Sequence, residues 1–327
     1  MKRFKSILYV SDGSVDQTPA LARAVTLAEN NQAELTVIDV IPRITADIGL
    51  FGGETNSADL QEAMARERRQ RLELLVKPHS GRLKIKLDVF IGTVFLEIIR
   101  AVLRHGYDLV IKTAENPDFM ERLFGSDDMH LLRKCPCPVW LMKPYEKSNY
   151  SNILAAVDFD LRRSCVEEQS LNQQILELSA SLALSDFASL HLAHAWETIA
   201  EGKIQTWSRN PAAAVATYLE GERLRHQAGL YQLGEWLRSR IGTEAYDYLS
   251  PRFHLRKGEA RRVITAMAGE LGADLVVMGT VARTGISGLI IGNTAEAIFE
   301  QVRCSVLALK PPGFVSPVKL TEYSFQG

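Results

Sequence analysis

The sequence is poor in the features that mark secreted, metal-stapled, membrane-spanning or nucleic-acid-binding chains. Its four cysteines are Cys135, Cys137, Cys165 and Cys304, and neither their number nor their spacing makes a disulfide framework or a four-ligand metal set. Cys135-Pro-Cys137 is a close pair without a second pair to complete a tetrahedral site, so it reads as buried, inert thiols. Charge of one sign is also lacking. Lys and Arg number 38 against 39 Asp and Glu, a formal net charge of −1, which leaves no positive field to hold nucleic acid or an anionic membrane through phosphates. No run of about 18 apolar residues appears that would span a bilayer as a helix. The apolar stretch Ile7 to Val10, behind a basic start, is too short for a signal-peptide core. A soluble, cytoplasmic protein is the expectation. No lysine stands in a Gly-x-x-x-x-Gly-Lys-Ser/Thr setting, so fast ATP hydrolysis is not expected and the protein is not read as an enzyme.

What is present is an ordinary foldable composition, 46% hydrophobic and 24% charged, in 327 residues, a length that suits two domains better than one. The chain also repeats itself. Ser6-Ile-Leu-Tyr-Val-Ser-Asp12 is answered by Asn152-Ile-Leu-Ala-Ala-Val-Asp158, each an apolar run ending in an acidic residue. Leu35-Thr-Val-Ile-Asp-Val-Ile41 is answered by Leu190-His-Leu-Ala-His-Ala-Trp196, and Tyr107-Asp-Leu-Val-Ile-Lys112 by Ala273-Asp-Leu-Val-Val-Met278. Cys137-Pro-Val-Trp-Leu-Met-Lys-Pro144 matches Cys304-Ser-Val-Leu-Ala-Leu-Lys-Pro311, a last strand closed by a proline that cannot continue a ladder.

Helical patterns fall between these strands, over residues 18–30, 58–76, 93–105, 169–184, 211–240 and 259–271. Asn210-Pro211 reads as an N-cap followed by proline at the first helical position. Short apolar strands alternating with helices imply parallel sheets covered on both faces. The fold expected is α/β: two tandem three-layer α/β/α domains with mainly parallel five-stranded sheets of Rossmann-like type. The boundaries predicted are 1–144, a polar linker 145–151, 152–312 and a tail 313–327, with the two domains packed together.

Ligands of open α/β sheets bind beyond the carboxyl ends of the strands. There the second half runs Met278-Gly-Thr-Val-Ala-Arg-Thr-Gly-Ile-Ser-Gly-Leu-Ile-Ile-Gly-Asn-Thr-Ala-Glu296, a strand end, a glycine-rich turn and an amphipathic helix. Gly279, Gly285, Gly288 and Gly292 can take positive φ and bring backbone N–H groups to an anion, and a helix starting near Asn293 adds its positive end.

On these residues the chain resembles the universal stress protein family, in a tandem, E-like form with two such domains in one chain. ATP-binding members carry Gly-x-x-Gly, nine residues, then Gly-Ser or Gly-Thr. Here Gly279-Thr-Val-Ala282, residues 283–291 and Gly292-Asn293 keep that spacing, with Ala282 in place of the second glycine and Asn293 in place of a hydroxyl residue. Arg283-Thr284-Gly285 fits the family wording, and Thr294 supplies a hydroxyl one residue late. The resemblance implies a nucleotide site of Ala156, Val157, Asp158, Ala195, Met278, Gly279, Ala282, Arg283, Gly292, Asn293 and Thr294, with Asp158 at the adenine and Ala195, after His194, near base or ribose. ATP, with Mg²⁺ accompanying it, is the ligand implied, and the function implied is stress tolerance through a regulatory protein. Pairing of the two domains within the chain, and association of two chains, are the assemblies implied.

The first half has the same frame without the same loop. Residues 112–126 retain the closing Gly125-Ser126, while Glu115, Asp118 and Glu121 would repel phosphate, so Asp12 is expected to be structural or an Asx-turn former. Other signals are weaker. Asp158-Phe-Asp160 matches a metal-binding Asp-x-Asp but also an ordinary turn, and His191 and His194, three apart on a strand, face opposite ways and cannot share a metal. Ser287 lacks the setting of a nucleophilic serine. The connections 42–57, with Ile48, Leu50 and Phe51 beside Gly52-Gly53, and 196–210, with Trp207, are expected to pack on the neighbouring domain. As apolar lids they leave a second reading open, a nucleotide-independent site for another small or amphipathic metabolite.

Overall fold

The computed structural model describes residues 4–13, 16–44, 57–114, 127–144, 147, 149–159, 166–198, 200–208, 210–280 and 292–320. They form two compact units, 4–147 with 314–320, and 149–280 with 292–313.

In the first unit the strands are β1 (Ser6–Val10), β2 (Glu34–Ile41), β3 (Ile85–Ile91), β4 (Leu109–Thr113) and β5 (Val139–Met142), and the helices α1 (Thr18–Asn31), α2 (Ser57–Val76), α3 (Val94–His105) and α4 (Asp127–Lys134). The strands pair in parallel in the order β3-β2-β1-β4-β5. Their apolar runs are buried on both faces: Ile7, Leu8, Tyr9, Val10, Leu109, Val110 and Ile111 are all within 1% of fully covered, as parallel strands under helices require. α3 ends where Gly106 takes a left-handed φ of 68° and its N–H donates to the Val102 carbonyl at 2.9 Å, a conformation that favours glycine.

The second unit repeats the plan with β6 (Asn152–Ala156), β7 (Ser189–Trp196), β8 (Arg252–Lys257), β9 (Leu275–Gly279) and β10 (Ser305–Leu309), paired in parallel as β8-β7-β6-β9-β10. Its helices are α5 (Val166–Asp186), α6 (Glu201–Trp207), α7 (Pro211–Ile241), α8 (Thr243–Leu249), α9 (Ala260–Glu270) and α10 (Asn293–Gln301). α5 and α7 pack together, as do α9 and α10. α7 approaches β8 closely at Gly234, where a Cβ would stand 2.5 Å from Phe253 Cζ.

The structure adds elements to those read from the sequence. β3 and β8 complete each five-stranded set; their alternation of apolar and charged residues, as in Ile85-Lys-Leu-Asp88, is the pattern of an edge strand rather than a continuous apolar run. α4 and α8 are short, and α6, within the connection expected to pack on the neighbouring domain, packs on α7 with Trp207 85% exposed. Pro211 does occupy the first turn of α7, but the Asn210 side chain makes no capping hydrogen bond, so proline's fixed φ sets that boundary without the amide.

In both units the chain leaves the first strand toward one side and returns to the other. The order therefore reverses between β1 and β4, and between β6 and β9, the two positions where an open sheet forms a crevice at its carboxyl ends.

Candidate functional site

At the carboxyl end of the second sheet, Ala156 of β6 pairs with Met278 of β9 on one side and Ala193 of β7 on the other. The next residue prolongs the ladder, Val157 N–H donating to the Ala193 carbonyl at 2.9 Å. Asp158 then turns outward. Its N–H donates to Asn172 Oδ1 at 3.1 Å and its carbonyl accepts from Asn172 Nδ2 at 2.7 Å, so one buried amide of α5 fixes the backbone that presents the exposed Asp158 side chain. Asn172 escaped the sequence reading because nothing marks it within an ordinary helix pattern.

The glycine-rich segment leaves β9 at Gly279 and rejoins the described chain at Gly292. Its ends are tied together: Gly292 N–H donates to the Thr280 carbonyl at 2.9 Å, and Thr280 N–H to the Leu309 carbonyl at 3.0 Å. Beneath this knot Lys310, 7% exposed, donates from Nζ to Thr280 Oγ1 at 2.5 Å. A buried ammonium at the base of the loop is a functional candidate that the sequence does not mark, since Lys310 stands at the end of an apolar strand run. Asn293 and Thr294 stand exposed on the first turn of α10, whose opening N–H groups have no partner within the helix by its own geometry. Ala195, half-buried, pairs with Arg256 near the end of β7. Ala282, Arg283, Thr284, Gly285, Ser287, Gly288, Asp160 and Cys165 lie outside the described residues, as do Ile48, Leu50, Phe51, Glu115, Asp118 and Glu121.

Two expectations are corrected. Gly279 and Gly292 do not take positive φ. Gly292 is extended, φ −65° and ψ 135°, as the N-cap of α10, with its N–H consumed by Thr280. Gly279 is small for a packing reason: a Cβ there would meet Leu171 Cδ2 of α5 at 2.6 Å.

Aromatic rings fill the adjoining ends of β6 and β7. Phe159 stacks on His194 at 4.0 Å between centroids, and His226 of α7 lies 5.1 Å from His194 and 5.4 Å from Trp196. His194 Nδ1 donates to the Val157 carbonyl at 3.1 Å, and its Nε2 is 2.9 Å from His226 Nδ1. Burial pushes the His194 imidazole down to about 4, keeping it neutral. His191, on the other face as the strand periodicity requires, is 2.9 Å from His254 of β8 and 3.3 Å from Asn152 Oδ1. Burial first, then His254 and Arg252, bring His191 to about 4 as well. Among the described residues no cluster of three or more His, Cys, Asp and Glu is placed to hold a metal, and no helix is long and apolar enough to cross a membrane.

The corresponding position of the first unit carries a buried ion pair. Lys112, 1% exposed at the end of β4, lies 2.9 Å from Asp128 of α4 and 3.9 Å from Asp12 at the end of β1. Asp12 is thus tied into the frame through an ion pair, and its N–H donates to Gln17 Oε1 at 3.1 Å. Asp39, whose carboxyl is pushed up by burial, faces Arg68 at 3.4 Å beside it. Cys135 and Cys137 are free thiols 3.6 Å apart, and the Cys135 contact together with burial holds the Cys137 thiol well above its ordinary value, the condition of an unreactive pair.

Comparison with known proteins agrees with this geometry. The model of the universal stress protein family matches twice, over residues 3–143 and 149–310. Universal stress protein E of Escherichia coli K12 is 28% identical over 327 residues, covering 98% of this chain and 99% of the relative. The universal stress protein E homolog of Haemophilus influenzae is 29% identical over 320 residues, with 94% and 98% covered. Among solved structures, a functionally unknown protein from Pseudomonas aeruginosa PAO1 superposes with a TM-score of 0.63 at 25% identity, covering 95% and 94% of the two chains. A universal stress protein from Archaeoglobus fulgidus gives 0.61 at 18% identity, with 94% and 96% covered, a likeness of fold.

Proposed function

The chain belongs to the universal stress protein family, and on that premise we propose that it is a stress-associated regulatory protein whose second unit binds an adenine nucleotide, ATP carrying Mg²⁺, while the first unit does not. The observation that carries this reading is the contrast at the two crevices. Where the first unit buries Lys112 between carboxylates, the second places Met278 and Gly279, a loop knotted at Thr280 and Gly292, the start of α10 and the buried ammonium of Lys310. Backbone N–H groups of a helix start and a fixed cation are the donors an anionic phosphate needs. Asp158, held by Asn172 two residues beyond the Ala156–Met278 pair, is the residue assigned to the base. The arrangement supplies binding and orientation, and regulation rather than rapid turnover is the role it serves.

Calorimetric titration of nucleotide-stripped protein with Mg·ATP tests the reading, wild type against Gly292→Asp. Gly292 is extended and at an N-cap, a position that accepts aspartate, so the variant places a charge against the phosphates without a backbone penalty. One saturable site lost in the variant supports the proposal, and an unchanged isotherm or no binding at millimolar ATP overturns it. The second reading, another small or amphipathic metabolite, is favoured by the ring cluster Phe159, His194, Trp196 and His226 at the same strand ends. It predicts a non-nucleotide compound copurifying with the chain, seen by native mass spectrometry.

A further inference from the structure

We propose that the first unit carries a binding site of its own, an open groove between α3, α4 and residues 317–320 that takes an amphipathic anion, a carboxylate on a medium-length acyl chain. The groove is built by a turn. Ser316 Oγ donates to the Lys134 carbonyl at 2.7 Å, satisfying one of the carbonyls that the last turn of α4 leaves without a partner inside the helix. The same oxygen accepts from the Val318 N–H at 3.2 Å, so one hydroxyl both docks the segment on α4 and bends it. Residues 317–320 then lie opposite Leu96 and Arg100 of α3 and Lys134 of α4, all within the first unit. The space between them is about 760 Å³, inside the roughly 300–1,000 Å³ of small-molecule sites.

The lining selects the ligand. Leu96, Pro317, Val318 and Leu320 are apolar, Arg100, Lys134 and Lys319 are cations, and no carboxylate stands among them. Glu97 is buried behind the groove, and its Oε1 accepts from Arg100 Nη1 at 2.5 Å, which spends one edge of the guanidinium. Arg100 Nε is also buried and has no hydrogen-bond partner among the described residues, a donor left for a ligand oxygen or a water. Lys134 Nζ lies 4.7 Å from the centre of the Phe95 ring, which holds the ammonium beside α3 without neutralising it. With Glu97 set against Arg100, the groove keeps the positive charge of Lys134 and of exposed Lys319.

An amphiphile is the ligand that uses both halves of this lining. Acetate or inorganic phosphate would meet the cations and leave the four apolar side chains in water, Leu320 46% exposed among them. An uncharged hydrocarbon would cover the apolar side chains and leave the cations unmatched. A bilayer surface carries the same two chemistries, but it is flat, and Arg100, with 20% of its side chain exposed, is recessed from it. The site belongs to the first unit, so it stands apart from the nucleotide reading of the second.

The test is calorimetric titration of the full-length protein with decanoate kept below its micelle concentration, beside acetate, an uncharged decyl glucoside and vesicles of anionic phospholipid. One saturable decanoate site per chain is expected, unaffected by Mg·ATP, with acetate and the glucoside each at least about tenfold weaker. Lys319→Glu and Leu320→Ser, both at exposed positions that the fold does not depend on, should each weaken decanoate, the first also reducing the salt dependence. Lys203→Glu, an equal change of charge on exposed α6 of the second unit, should leave it unchanged. Absence of a saturable site, equal affinity for the glucoside, binding to vesicles without binding to monomeric decanoate, wild-type affinity in Lys319→Glu, or an equal loss in Lys203→Glu overturns the proposal.

Discussion

The two crevices are built on the same strand order and end in opposite chemistry. In the first unit Lys112 fills the switch point and is matched by Asp12 and Asp128. In the second the aligned residues are Met278 and Ala295, both buried and uncharged, and Lys310, the counterpart of Lys143 in the repeat, donates to Thr280 below the loop. An internal ion pair occupies space and satisfies its own charge. The described part of the second crevice is instead lined by apolar side chains, with the start of α10 and the Lys310 ammonium at its edge. Duplication preserved the frame, and the two copies differ in the charge of a handful of side chains at the same positions.

The largest expected effect breaks the ion pair. Lys112→Met leaves Asp128 buried without its ammonium and should destabilise the first unit by about 3–5 kcal/mol, the usual cost of removing one partner of a buried pair. Adding Asp128→Ala, which copies the Met278 and Ala295 pair, should recover most of that loss in urea unfolding. If the single variant is as stable as the wild type, the ion pair does not hold the first crevice together. Next in size is the loss of Mg·ATP binding in Gly292→Asp, expected to be at least about tenfold, or ~1.4 kcal/mol, with the fold intact by circular dichroism. The same titration on Lys310→Gln asks how much the ammonium below the loop contributes, and a smaller weakening is expected because Lys310 acts from behind Thr280.

Much of this was legible before any coordinate. The four repeated apolar runs placed eight of the strands, because a buried parallel strand must be apolar on both faces and little else in the chain is. The edge strands β3 and β8 were not placed, since their alternation carries the weaker signal of a half-covered strand. At the candidate site, Ala156 and Met278, the ends of two of the repeated runs, lie opposite each other in the sheet. Long-range partners were invisible: Asn172 to Asp158, Lys310 to Thr280, His226 to His194 and Lys112 to Asp128 join residues 14 to 32 apart, and sequence periodicity has no term for them.

A comparison inside the second unit can be sharpened with pH. His191 is held at about 4 against an ordinary 6.5, so between those values the unfolded chain binds more protons than the native one. The stability this pair contributes is therefore present above pH 6.5 and is lost as the pH falls toward 4. Arg252 and Arg256 stand by to repel the new charge, while solvent at the half-exposed His254 softens the effect. His191→Gln, which cannot titrate, should flatten the stability curve in that window when melting temperature is followed against pH, and a slope equal to the wild type would assign the acid sensitivity elsewhere.

The smallest effect separates two meanings of one glycine. If Gly279 is small to let a phosphate approach the backbone, Gly279→Ala should weaken Mg·ATP binding with little change in stability. The packing points the other way: the new methyl would press on Leu171 Cδ2, the end of a side chain that can swing aside, and φ at Gly279 is not in the region that favours glycine. A cost below about 1 kcal/mol in unfolding, with nucleotide affinity unchanged, is the expected result. Leu171→Ala should relieve even that cost, because the cavity it opens is where the methyl would go. An affinity loss in Gly279→Ala that persists beside Leu171→Ala would return the glycine to the phosphate loop and show that the second crevice is shaped by its ligand as well as by its helices.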